Sequence, residues 1–422
     1  MTFGKSLILA ALASSTMLAG AAFAESHAKL SGDLRIFLDT SNPAPRAAME
    51  GMIGRFAERH PDLNVETTVI DREAYKTQIR NFLTADAPDV ATWYAANRMR
   101  PYVEAGLFED VSDLWEEDMF KEDLASTKGA MTIDGKQWGV PYTYYQWGVY
   151  YREDIFKELG LTEPTTWAEE KANCAKIVES SRACYTIGTK FLWTAGGWFD
   201  YMNMRTNGFD FHMQLLQGDA SWESDEVRAT FSNWKELIDM GGFIANHQTY
   251  SWQEALPFMV NGEAAAYLMG NFAVAPLREA GLSDDQIDFY QFPSINPDVA
   301  LAEDAPTDTF HIPSNAKNKD AAREFLRFAA SAEEQTIINA GDALGQLPVN
   351  AKASVDDDEF LNQGFTMLST NSPGGVAQFF DRDAPAEMAK VAMEGFQEFM
   401  VKPEALDKIL AKLERSRGRI YK

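Results

Sequence analysis

Aromatic residues set beside glycine, asparagine and aspartate are the part of this sequence best suited to recognising another molecule. Trp93-Tyr94, Trp193, Gly196-Gly197-Trp198-Phe199-Asp200 and Gly270-Asn271-Phe272 all fall at predicted strand ends and loops. A flat aromatic face next to amide and carboxylate groups suits a sugar, whose ring offers an apolar C–H face and an edge of hydroxyls. Taken singly, each ring is better explained as core filling; their clustering at loop positions is what points to a ligand. Arg382, in Phe379-Phe380-Asp381-Arg382-Asp383, is placed to meet an acidic group or sugar hydroxyls, or else to pair with Asp381 or Asp383.

Reactive motifs are absent. There is no Walker-type glycine-rich loop, no G-x-G-x-x-G after a strand, no H-E-x-x-H, no G-x-S-x-G elbow and no EF-hand loop. Two carboxylates suffice to hydrolyse a glycoside, so the 63 acidic residues leave that class open without favouring any pair. The five histidines, His27, His60, His212, His247 and His311, show no ligand spacing, and no metal or cofactor is predicted. Cys174 and Cys184, ten positions apart, read as one disulfide closing a short loop in an oxidising compartment, with zinc as the competitor.

That compartment is written at the start of the chain. Lys5, the apolar stretch Ser6 to Leu18 and the small-x-small triplet Ala22-Phe23-Ala24 predict a signal peptide cleaved after Ala24. With no cysteine near the cleavage point to carry a lipid, the expected product is a carrier free in a periplasm. The 398 remaining residues (422 minus 24) suffice for two domains. Net charge is −25, or −26 once Lys5 is removed, which excludes nucleic acid and anionic lipid as natural partners. The densest acidic run, Asp356 to Glu359, reads as a solvated turn.

The elements that must position these residues alternate. Leu34 to Leu38 predicts a strand, Met49, Met52, Ile53 and Phe56 a helix stopped by His60-Pro61, and Asn64 to Ile70 a second strand. A helix over Tyr75 to Leu83 and a strand over Asp89 to Trp93 complete an α/β unit with a largely parallel sheet. Gln137 to Tyr151 reads as extended backbone interrupted at Pro141. Thr166 with Glu169, and Ser331 with Glu334, form capping boxes, and Asn318 caps a helix between them. Helices are also predicted at Trp198 to Asn207, Asp225 to Met240, Ser251 to Asn261 and from Ala384 onward, with a strand at Asp285 to Phe292.

Several short stretches follow one another in a particular order. They are Phe56 to Pro61 with Val65, Ala87-Pro88-Asp89-Val90 with Trp93, Glu104 to Leu107, Gly135 to Pro141 and Tyr150 to Asp154. Pro164 to Trp167, Phe258 with Gly262 to Gly270, Ile312 to Ala332 and Leu347 to Asn350 continue the series. In this order and spacing the chain resembles the family 1 extracellular solute-binding proteins of ATP-binding-cassette importers. The resemblance implies an α/β periplasmic binding protein fold of two lobes joined by hinge-crossing strands, with the ligand in the cleft. Lobe one would comprise residues 25–141 and 309–346, and lobe two residues 142–308 and 347–422.

The resemblance also implies site residues: Ser41, Asn42, Trp93, Tyr94, Tyr145, Gly196 and Gly197 through their backbone amides, Trp198, Asn271, Phe272, Thr309 and Arg382. Trp93 falls where maltose-binding members place a tryptophan, Tyr145 near a carboxylate ligand, and Phe272 on a stacking tryptophan, with Phe379 or Phe380 near another. Ala96-Asn97 and Ser41-Asn42 replace charged pairs of those members, so maltose is not expected. The implied function is a monomeric periplasmic receptor without turnover, which closes on a small carbohydrate or glycoside and presents it to a membrane permease. Within that class the alternative is a polyol or a sulfonated or phosphorylated sugar held by Arg382, Ser41 and Thr309. Outside it, the alternative is a secreted carbohydrate-active enzyme.

Overall fold

The computed structural model describes residues 30–355 and 357–421. The predicted signal peptide, residues 1–24, and Asp356 lie outside them. β1 (Gly32–Leu38) buries alternate residues Leu34, Ile36 and Leu38. α1 (Pro43–Arg59) packs Met49, Met52, Ile53 and Phe56 into the same core and stops at His60. β2 (Leu63–Val69) pairs parallel to β1, and α2 (Arg72–Ala85) starts at Asp71, whose side chain accepts from the amides of Glu73 and Ala74. β3 (Val90–Tyr94) joins parallel on the other side of β1.

The sheet is not wholly parallel. Beside β3 lies Thr307–His311, antiparallel, and beyond it Val140–Tyr144, giving the order β2, β1, β3, Thr307–His311, Val140–Tyr144. Pro141 sits inside the last strand instead of ending it, facing Thr309 at a register shift between Asp308 and Thr309. A second sheet runs Ile287–Tyr290, Trp147–Arg152, Ala264–Gly270, Ala183–Tyr185. Only Tyr145 and Gln146 separate Val140–Tyr144 in the first sheet from Trp147–Arg152 in the second. Two hydrophobic cores result, one drawn from residues 34–142 and 310–349, the other from 145–292 and 360–413.

Helix starts follow local chemistry, with informative departures. Thr166 and Glu169 form the reciprocal capping box, and the Asn318 side chain accepts from the Ala321 amide. Ser331 accepts from the Glu334 amide, but the Glu334 carboxylate turns away to a buried pairing with Arg55 at 2.7 Å. In the acidic run, Asp358 caps the helix Glu359–Thr370 and pairs with Arg278 at 2.8 Å, so this carboxylate is structural and not part of a solvated turn. The helix predicted at Trp198 starts five residues earlier, as Trp193–Asn207, which takes Gly196 and Gly197 into its first turns. The C-terminal helical region is two helices, Ala386–Val401 and Leu406–Ile420, parted near Pro403.

Cys174 and Cys184 are disulfide-bonded, with Cα atoms 5.1 Å apart. The bond ties helix Trp167–Glu179 to strand Ala183–Tyr185 beneath the second sheet. Replacing both cysteines by serine should lower stability by about 2–3 kcal/mol. Scanning calorimetry should register this as a Tm lower by several degrees, and the oxidised wild type should respond to reductant in the same direction.

Candidate functional site

A cleft lies between the two cores, lined where the strands cross from one to the other by Tyr142, Tyr145, Trp147 and Asp308. Counted out to its mouth, the cleft measures about 870 Å³. Thr40, Ser41, Asn42 and Pro45 reach it from the turn between β1 and α1, and Arg72 and Lys76 from α2. These two cations are four residues apart on one helical face, alongside the buried stripe Tyr75, Ile79 and Leu83. Tyr94, Tyr142, Tyr145 and Asp308 line the crossing region, with Leu344 and Gln346 beside them. The second core supplies Trp147, Trp193, Trp252, Phe272 and Phe379, together with Gln253, Asp381 and Arg382.

The charges around this space pair off. Lys76 Nζ lies 3.0 Å from Glu73, Arg382 2.8 Å from Asp308, Arg98 3.6 Å from Asp381 and Arg72 3.8 Å from Asp39. Asp39 also accepts from Thr92 Oγ1 and Tyr94 Oη at 2.9 Å each. At 3.8 Å from Asp39 the partly exposed Arg72 guanidinium makes an ion pair but no hydrogen bond among the described residues, and it lines the cleft. Arg382 is engaged through both terminal nitrogens: it donates to the Thr307 carbonyl at 2.6 Å, to Tyr145 Oη at 2.9 Å and to Asp308 at 2.8 Å, the last of which balances its charge. Burial pushes the Asp308 carboxyl up, and Arg382 and Arg72 oppose the shift.

The aromatic wall depends on glycine. A Cβ on Gly197 would lie 2.7 Å from the Trp147 ring and 3.0 Å from that of Phe379; one on Gly270 would lie 2.4 Å from Phe272. Glycine at both places lets the rings close onto the backbone. Phe379 adopts φ +114°, strained for a non-glycine residue, and its neighbours hold it there. The Phe380 amide donates to Asp200 at 2.7 Å, and the Gln378 amide to Asp383 at 2.7 Å.

Of the residues singled out from sequence, Ser41, Asn42, Tyr94, Tyr145, Trp193, Phe272, Phe379 and Arg382 line the cleft. The others do not, for identifiable reasons. Trp93 points to the opposite face of β3 from Tyr94, into the core, with Nε1 donating to the Arg98 carbonyl at 3.0 Å. Thr309 is likewise buried next to the cleft-facing Asp308, bonded to His311 at 2.7 Å. Trp198 stacks on Trp234 at 6.3 Å deep in the second core. Gly196 packs against Met393 and Phe380, and the helical setting of both glycines removes the loop amides expected of them. Asn271 is buried, donating to the Gly345 carbonyl at 2.6 Å. Sequence reasoning missed Arg72, Lys76, Asp308 and Trp147; the four-residue spacing of Arg72 and Lys76 beside the apolar stripe of α2 was the available signal.

Residues 40–336 match the bacterial extracellular solute-binding protein family. The chain belongs to that family. It is similar to an uncharacterized ABC transporter extracellular-binding protein of Pyrococcus horikoshii, 22% identical over 76% of this chain and 72% of that protein. It also resembles the multiple sugar-binding protein of Streptococcus mutans, 22% identical over 68% of each. Among solved structures, the bacterial solute receptor AcbH, with an exclusive substrate preference for β-D-galactopyranose, superposes with a TM-score of 0.83. That match has 25% identity and covers 93% of this chain and 100% of AcbH. As an ABC-transporter solute-binding protein the chain has a two-lobed α/β fold, and the cleft lies between its lobes. Among the described residues no helix is long and apolar enough to cross a membrane.

The wall at Phe379 carries a pH signature. Burial pushes the Asp383 carboxyl up to about 6, against hydrogen bonds from the Gln378 and Phe379 amides. An aspartate in the unfolded chain titrates near 3.9. Between those values the native state holds more protons than the unfolded chain, so this group's contribution to stability falls as pH rises. Asp383→Asn should therefore gain stability relative to wild type by about 2–3 kcal/mol between pH 4 and pH 7. Paired urea titrations at several pH values would check this.

Proposed function

We propose that this solute-binding protein takes a small uncharged carbohydrate, or a glycoside or polyol, into the interlobe cleft and hands it to a membrane permease in the closed form. The observation that carries the reading is the pairing of two unlike walls. Lobe two offers aromatic faces, and lobe one offers hydrogen-bonding groups whose charges are already balanced. Arg72, Gln346, Ser41 and Asn42 of lobe one, joined by Gln253 of lobe two, are the groups available to hydroxyls, and the rings suit an apolar C–H face. The sugar-binding relatives from Streptococcus and the galactopyranose receptor support the same class.

An anionic ligand is less well served. Arg382 is occupied, Thr309 is buried away from the cleft, and the first turn of α1 has no free amide to offer. Pro43 and Pro45 lack N–H groups, the Ala44 amide donates to Glu279 at 3.2 Å, and the Arg46 amide donates to Asn42. In this reading the segment up to Ala24 is removed on export, and a monomer diffuses in the periplasm, carrying its ligand without transforming it.

Calorimetry against neutral sugars, polyols, uronates and sugar phosphates and sulfonates tests the proposal. Binding by one or more neutral compounds, insensitive to salt, and no release of aglycone from aryl glycosides are expected. Binding confined to anionic members and weakened by salt would contradict it, as would hydrolysis abolished by substitution of one carboxylate.

A further inference from the structure

We propose that the cleft encloses a complete ligand of one or two sugar rings and does not accept the end or the middle of a longer chain. This inference rests on the carbohydrate reading above.

The first support is the placement of direct lobe-to-lobe bonds. The Ala44 amide donates to Glu279 at 3.2 Å, between the lining residues Asn42 and Pro45. Trp193 Nε1 donates to Glu73 at 3.2 Å, between Arg72 and Lys76. Asn97 Nδ2 donates to the Asp383 carbonyl at 2.7 Å, next to the pairing of Arg98 with the lining residue Asp381. Asn271 Nδ2 donates to the Gly345 carbonyl at 2.6 Å, between Leu344 and Gln346. Each bridge is adjacent in sequence to lining residues, so direct contacts between the lobes stand beside the lining at four places. A longer chain leaving past any of these places would break the bridge that stands there. Lys76 adds to the same closure, with Nζ 5.8 Å from the Tyr94 ring of one lobe and 5.6 Å from the Trp193 ring of the other.

The second support is the mutual angle of the rings. A groove that follows a sugar chain needs successive aromatic faces in line, one for each sugar stacked on it. Here four neighbouring pairs meet edge to face, Trp147 and Trp193 at 86°, Trp147 and Phe272 at 74°, Trp252 and Phe272 at 80°, Tyr145 and Phe272 at 89°, while Trp193 and Phe272 are tilted at 59° and Trp147 and Phe379 at 37°, so no pair presents two faces in line. They form the sides of a box and not a track.

Tryptophan fluorescence and calorimetry over three size ladders would test this: xylose to xylotetraose, glucose to maltotetraose, and galactose with melibiose, raffinose and stachyose. In whichever ladder binds, affinity should drop at least tenfold from the best one- or two-ring member to the three-ring member. Affinity that holds or rises through three and four rings overturns the inference and leaves the carbohydrate reading intact. No binding in any ladder, with none in the wider panel above, overturns both. Trp193→Ala removes one bridge and should improve three-ring binding relative to one-ring binding by about tenfold. An equal loss at all lengths would show that the bridge does not limit size. Glu279→Ala, at an exposed position on another flank, repeats the comparison if Trp193→Ala does not fold.

Discussion

A guanidinium buried where the lobes meet holds the site in place. Arg382 joins three stretches distant in sequence: the crossing strand at Thr307 and Asp308, the hinge residue Tyr145, and the short helix Phe380–Asp383 that follows Phe379. It also lies 4.6 Å from the centroid of the Tyr94 ring. Burying such a pair costs several kcal/mol per ion in desolvation, so the pair is not explained by stability alone. Its effect is geometric: with Arg382 in place, Phe379 is fixed against Trp147 and the carboxylate of Asp308 is neutralised at the cleft floor. Without it, Asp308 would be left as an unpaired buried charge, a loss of about 3–5 kcal/mol by precedent.

From that anchor the two lobes make unlike contributions. Lobe one presents donors and acceptors from the β1 to α1 turn, α2 and the end of β3; lobe two presents rings from Trp147, Trp193, Trp252, Phe272 and Phe379. Neither half can satisfy a sugar alone, since one lacks the apolar face and the other most of the polar groups. A ligand therefore gains its full set of contacts only when the lobes are together, which is the differential affinity that a shift toward the closed form requires. The bridges at Ala44, Glu73, Asn97 and Asn271 form in that same state. Ligand contacts and direct lobe contacts thus favour one conformation.

Periodicity made the first α/β unit legible: the alternation in Leu34 to Leu38 and the helical spacing from Met49 to Phe56 correspond to β1 and α1. Caps at Thr166 and Asn318 were equally local and equally readable. Facing was harder. Trp93 and Tyr94 are both aromatic at a strand end, yet only Tyr94 faces the cleft, because side chains alternate and sequence does not say which face meets the other lobe. Thr309 and Asp308 repeat the ambiguity one crossing strand away. The glycines of Gly196-Gly197 were noticed for the right neighbourhood but in the wrong capacity, since they accommodate rings and do not present amides. Arg72 and Lys76 were signalled only by their spacing, because cations flanking an apolar helix stripe look the same whether they meet solvent or a second lobe 100 or more residues along the chain.

Native mass spectrometry of the protein isolated from exporting cells addresses the central claim most directly, because it needs no prior choice of ligand. The structure predicts a one-to-one non-covalent adduct whose mass and fragments identify an uncharged carbohydrate of one or two rings, lost in parallel with the opening of the cleft. A peptide, a nucleotide, a sugar phosphate or a long oligosaccharide carried in the same site would contradict it.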